Sequence, residues 1–290
     1  MSVGPLIAPG SPRTQATARR RHLPIAVVAS AIVVVLILLC AIFGSLIAPQ
    51  DVDHLDLVAV AKGPSSAHLL GTDQLGRDVF SRAIAGARTP VAGAVAIALG
   101  AALLGSIVGV LAGYYGGFVE TGTMRLVDLM ISLPAVLVAI VTVSILGSSY
   151  GFAVLLLTIF LSPFEVRMMR GIALEQRSRP YVEAAHSAGL SSWRIMARHI
   201  WPNVLPILVA DAFLNFAYAL VALSTLSFLG LGVALGTPDW GRMLFEGKDL
   251  LFQNPAAAIA PAVLIALTAA SVATLGDAAF ERLSDRGRGR

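Results

Sequence analysis

Residues 129–164 read LMISLPAVLVAIVTVSILGSSYGFAVLLLTIFLSPF, without a single Asp, Glu, Lys or Arg. A helix rises about 1.5 Å per residue, so roughly twenty apolar residues cross the hydrocarbon of a bilayer. This block is too long for one crossing, and Gly147-Ser148-Ser149-Tyr150-Gly151 offers a turn near its middle. It therefore predicts two membrane helices joined by a short connection. Pro163 and the nearby Glu165 predict that the second of them closes early.

Working outward, uncharged stretches of the same length recur. Residues 25–48 and about 90–115 supply two more crossings, 204–231 a third interrupted only by Asp211, and 255–276 a fourth. Six spans result. The chain as a whole is 57% hydrophobic and 13% charged, with mean hydropathy +0.80, where a soluble domain carries about 25% charged residues. Too little polar surface remains to coat a water-soluble globule, so the fold class is an all-α integral membrane protein with one membrane domain.

The excess of basic residues does not form a nucleic-acid face. With the N-terminus inside, fifteen of the twenty-one Lys and Arg residues fall in inner segments, including Arg125, Arg167, Arg170, Arg177, Arg179, Arg194 and Arg198. The other six, Lys62, Arg77, Arg82, Arg88, Arg242 and Lys248, lie in two outer segments rich in aspartate. Both termini are expected inside. The expected organisation is a cytoplasmic tail at 1–24, a first span at 25–48 and an extracytoplasmic segment at 49–89. A five-helix core at 90–277 follows, with an inner loop at about 168–203, and a second tail at 278–290 ends the chain. The amphipathic stretch 79–87 reads as an interfacial helix at the outer surface, with a re-entrant position as the alternative.

Three features bear on mechanism. Gly105, Gly109 and Gly113, spaced by four, make a flat groove on one face of the second span, so that another helix backbone can come close. Packing within the chain and packing against another subunit both fit that groove. In the inner segment, Pro180 can start a helix, the run Tyr181-Val182-Glu183-Ala184-Ala185 favours one, and Gly189 can end it in a left-handed cap. Small residues would let this helix lie in a partner's groove, with Glu183 offering a carboxylate to an arginine across the contact. Finally, Asp211 and Asn215, one turn apart in the fifth span, are candidates for lining a translocation path or for a hydrogen bond between helices. Asp128 and Glu165, near inner span ends, would pair with Arg125 or Arg167.

Glu183-Ala184-Ala185 with Gly189, followed by Arg198-His199-Ile200-Trp201-Pro202-Asn203, resembles the EAA signature of binding-protein-dependent ABC importer permeases, with Trp201 where the family usually has leucine. GTDQLGRDVFSR at 71–82 with Gly86-Ala87-Arg88 resembles the segment after the first span in the oligopeptide, dipeptide and nickel group. There the family often continues with serine and leucine, and this chain has Thr89-Pro90. Gly113-Tyr114-Tyr115-Gly116-Gly117, Arg125-Leu126-Val127-Asp128, Pro238-Asp239-Trp240-Gly241 and Gly276-Asp277 extend the resemblance to the end of the chain. It implies a type I importer permease fold in a prokaryotic cytoplasmic membrane, with a second homologous permease, two ATPase subunits and an extracytoplasmic binding protein as partners. It also implies that Tyr181, Glu183, Ala184, Ala185, Gly189, Arg198 and Pro202 form an ATPase-coupling loop. ATP and Mg would be bound by the partners, leaving no cofactor in this chain, and the cargo would be peptides or, as the alternative, nickel.

Other classes find less support. No Gly-Lys-Ser or Gly-Lys-Thr follows the glycines at 113–117, so the chain is not read as an ATPase. The five histidines show no ligand spacing, and the single Cys40 permits neither an internal disulfide nor a multi-cysteine metal site. A secondary transporter would need coupling-ion carboxylates and a repeated architecture, and an intramembrane enzyme would need a nucleophile with a base or a metal set.

Overall fold

The computed structural model describes residues 24–147 and 149–288, with side chains through residue 282. The N-terminal tail with Arg13 and Arg19 to Arg21, the connection residue Ser148 and Arg290 lie outside the described residues. Helices dominate the rest. In chain order they are α1 (Ile25–Ile47), α2 (Val79–Ala85), α3 (Arg88–Tyr115), α4 (Gly117–Ile131), α5 (Ala135–Leu146), α6 (Tyr150–Arg177) and α7 (Pro180–Ser187). Next, α8 (Ser192–Ile195) runs through a π turn, Met196–Ile200, into α9 (Trp201–Phe228), and α10 (Trp240–Gly247) and α11 (Ala256–Arg288) complete the fold. Among the described residues the only β pairing is an isolated antiparallel bridge between Thr72 and Asp78.

Among the described residues, five helical stretches are long and apolar enough to cross a membrane, and α4 with α5 makes a sixth as a pair bent by 76°. The bend follows from Pro134, which disfavours helical geometry at the residue before it. The twelve residues of α5 extend only about 18 Å, so this crossing is short by itself. Gly147 ends α5 at φ +107, a conformation that side chains resist, and the chain reverses there into α6.

The second half of the opening block does not close early. α6 runs to Arg177 through Pro163. Proline removes the donor for the Ile159 carbonyl, and the Ser162 hydroxyl donates to that carbonyl instead, at 2.9 Å. The inner loop expected from residue 168 therefore begins as helix and leaves it only at Ser178.

The most extensive helix pair is α3 on α6, and the three spaced glycines make it possible. A Cβ on Gly105 would fall 2.1 Å from Glu165 Cβ, one on Gly109 2.6 Å from the Val166 carbonyl oxygen, and one on Gly113 2.5 Å from that of Arg170. The groove is thus filled within the chain. α9 packs across α3 and against α11, and α1 lies on α11. Outward-facing residues such as Ile32, Leu36, Leu46, Leu137 and Ile145 leave apolar helix faces uncovered, as a bilayer requires.

The stretch at 79–87 is not a helix lying on the surface. In α2, Val79, Ser81, Arg82 and Ala83 are buried, and the element is wedged against α1 and α11.

Candidate functional site

The two ends of α3 carry most of the chemistry outside the spans. At its Tyr115 end lies α7. Pro180 begins the helix, where a missing N–H costs nothing, and a Schellman turn ends it. Gly189 adopts φ +74, its N–H donates to the His186 carbonyl at 2.9 Å, and the Leu190 N–H donates to that of Ala185 at 3.2 Å. Val182 and Ala185 pack into an apolar cluster with Ile195 and Val110. Glu183, Ala184, Ser187, Ala188 and Gly189 face outward, and nothing lies within 4 Å of the position a Gly189 side chain would take. The exposed face is therefore narrow, made largely of small residues, and open.

This short helix is pinned to three long ones. Tyr114 Oη, at the end of α3, meets His186 Nε2 at 3.0 Å. Tyr181 Oη donates to Gln176 Oε1 of α6 at 2.6 Å and accepts from Asn203 Nδ2 of α9 at 3.3 Å, while its ring stacks on His199. Sequence reasoning named Tyr181 and missed Tyr114 and His186, because their partnership spans 72 residues and neither neighbourhood advertises it. Arg198 is exposed within the π turn, and Pro202 sits in the first turn of α9. Glu183, Arg194 and Arg198 have no ion-pair partner among the described residues.

The Arg88 end is built differently. Asp73 Oδ2 accepts from Arg77 Nε at 2.7 Å and lies 3.6 Å from Arg82 Nε. Arg77 Nη2 reaches Glu246 Oε2 of α10 at 3.1 Å, and Arg242 Nε donates to the other oxygen of that carboxylate at 3.1 Å. Arg82, 1% exposed, spends its remaining donors on the carbonyls of Val52 and Gly236. Asp239 caps α10 by accepting from the Arg242 N–H at 3.1 Å. Burial pushes its carboxyl above the ordinary range, against the pull of that N–H and of the Ser227 hydroxyl. Trp240, fully buried, donates its indole N–H to the Ala83 carbonyl at 2.8 Å. The motif residues at 71–82 and 238–241 thus close on one another into a single cap.

Inside the membrane region, Asn215 joins two carboxylates. It donates to Glu165 Oε1 of α6 and to Asp211 Oδ2 at 3.2 Å. Glu165 is fully buried over Gly105 and has no arginine partner among the described residues, contrary to the pairing expected from its place in the sequence; Asp128 is the one that pairs with Arg167, at 2.5 Å. Asp211 is half-buried. Among the described residues no group of three or more His, Cys, Asp or Glu side chains is arranged to hold a metal ion.

Comparison with known proteins bears on all three regions. Residues 105–288 match the family described as binding-protein-dependent transport system inner membrane component. The chain is 36% identical to the probable D,D-dipeptide transport system permease protein DdpC of Escherichia coli K12, over 91% of this chain and 88% of that one. It is 35% identical to the glutathione transport system permease protein GsiD of Pectobacterium atrosepticum, over 89% and 86%. A GsiD from Escherichia coli O1:K1 is also 35% identical, over 98% and 95%.

Proposed function

The chain belongs to the binding-protein-dependent transport system inner membrane component family, and on that premise we propose that it forms half of the translocation path of an ATP-driven importer for short peptides. Its relatives are named for D,D-dipeptide and glutathione transport, and both cargoes are peptides. Nickel is the alternative cargo that the resemblance of the 71–82 motif carries.

The observation that carries the reading is α7: a short helix with an exposed face of small residues, fixed by side-chain hydrogen bonds to α3, α6 and α9. We take Tyr181, Glu183, Ala184, Ala185, Gly189, Arg198 and Pro202 as the loop that docks on a partner ATPase, with Glu183 free to meet a cation across the contact. A movement of the ATPases on binding ATP would be handed through Tyr114, Gln176 and Asn203 to three spans at once. The opposite cap would meet the extracytoplasmic binding protein, and a second permease would complete the path. A two-state element biased from both ends is what alternating access needs. Asp211 and Asn215 are proposed to line the path, and both termini to lie in the cytoplasm.

The test is uptake into proteoliposomes holding the chain with the subunits that co-purify with it. Labelled dipeptide should enter only with ATP and the binding protein present. Entry of nickel without peptide would overturn the cargo assignment, and uptake by this chain alone without ATP would overturn the importer.

A further inference from the structure

A groove of about 350 Å³ lies beside the coupling region and is not used by the proposed mechanism. Ile107 and Leu111 of α3 form one wall, and Met196, Ala197 and Trp201 the other, with Trp193 also lining it. Its walls are apolar, and its size falls within the roughly 300–1,000 Å³ of small-molecule pockets. Leu111 is four residues from the end of α3, about 6 Å along the helix axis, so the groove lies near the end of that apolar helix.

Two features of the chain that lines it bear on its occupant. Trp193 is 70% exposed, and tryptophan at a span end settles at headgroup depth. Arg194 and Arg198, one turn apart on the same stretch of chain, are exposed and have neither an ion pair nor a hydrogen bond among the described residues. Of the other inner arginines, Arg167 is paired with Asp128, Arg170 with Glu120 and Arg179 with Glu175; Arg125 and Arg177 are also without an ion pair among the described residues, and neither is next to a groove-lining residue in sequence. The π turn, Met196–Ile200, lies between the groove-lining Met196 and Trp201, whose N–H donates to the Met196 carbonyl.

We propose that this groove holds one acyl chain of an anionic phospholipid from the surrounding bilayer, with its phosphate on Arg194 and Arg198, so that Arg198 supports the docking loop by holding lipid beside it and not by touching the ATPase. An apolar slot walled by residues of a membrane helix suits a lipid tail, and two unneutralised guanidinium groups, each next in sequence to a lining residue, Trp193 or Ala197, suit a negative headgroup. An acidic protein surface would satisfy the arginines and leave the slot, which is walled by residues of a membrane span, unfilled. The bound lipid would brace the start of α9 against α3, next to the loop through which the ATPases act.

The chain, purified in mild detergent with its accompanying subunits, is mixed with equal amounts of palmitoyl-oleoyl phosphatidylglycerol and phosphatidylethanolamine. Retained lipid is counted by native mass spectrometry. Wild type should keep phosphatidylglycerol in preference, and Arg194→Gln with Arg198→Gln should cut that preference by about fivefold for each arginine. Ala197→Trp, which fills the groove without changing charge, should lower retention of both lipids. Equal retention of the two lipids by wild type, or retention unchanged by both variants, overturns the proposal. Loss of the ATPase subunits in the arginine variant with phosphatidylglycerol retention intact also overturns it, by assigning the arginines to a protein contact.

Discussion

At the end of the bundle formed by α2 and α10, the buried Asp73, Arg77 and Arg242 are tied together with the half-buried Glu246, whereas at the α7 end Glu183, Arg194 and Arg198 stand exposed and unpaired among the described residues. The same α3 helix connects both ends, so the difference does not come from the scaffold. One end has spent its charges internally and forms a finished surface, on which a partner finds a shape already set. The other has kept its charges available, and its stability owes more to apolar packing of Val182 and Ala185 than to ion pairs. Removing a charge should therefore cost folding at the first end and assembly at the second.

The sharpest way to break the comparison is to sever the ends from each other. Gly105→Leu should prevent recovery of folded chain, because even its Cβ would fall 2.1 Å from Glu165 Cβ, a clash beyond the roughly 1–3 kcal/mol of ordinary overpacking. A monodisperse peak in size-exclusion chromatography at wild-type yield would contradict the packing described. Next in size, Arg77→Ala leaves two carboxylates without their bridging cation and should cost about 3–5 kcal/mol, whereas Arg198→Ala should change stability by no more than about 0.5 kcal/mol. Thermal unfolding of the two variants in detergent compares the ends directly, and equal losses would erase the distinction. Tyr114→Phe should cost about 0.5–1.5 kcal/mol yet reduce uptake per ATP consumed, since it cuts one of the bonds from α7 to the spans. At the small end, Asp239→Asn should leave stability within about 0.5 kcal/mol, because asparagine caps a helix as well as aspartate and the exchange removes a desolvated charge.

The membrane architecture was legible because it depends on local composition. Residues 25–48 announce themselves by the absence of charge and 204–231 by a single charge, Asp211, while Gly147 marks a turn by its residue type. What lay beyond local reading came from distant partners. The glycines of α3 predicted a groove without saying that α6 fills it. Pro163 looked like an end because the compensating Ser162 hydroxyl bond depends on side-chain geometry. Arg77 has Asp73 one turn away, but its second partner, Glu246, is 169 residues on, and Glu165 finds Asn215 rather than the neighbouring Arg167. In the α7 loop, the cap at Gly189 could be read from residue type alone, while the ties through Tyr114 and His186 required the fold.

The proposed arrangement has α7 docking the ATPases while the rest of the chain holds the second permease. It is tested most directly by purifying the tagged chain from its native membrane and quantifying co-purifying subunits for wild type, Gly189→Trp and Glu183→Arg. The side chain at 189 would meet open space in the isolated chain, so the variants should keep the second permease at wild-type levels and lose the ATPase subunits. ATPase recovery equal to wild type in both variants would contradict the account.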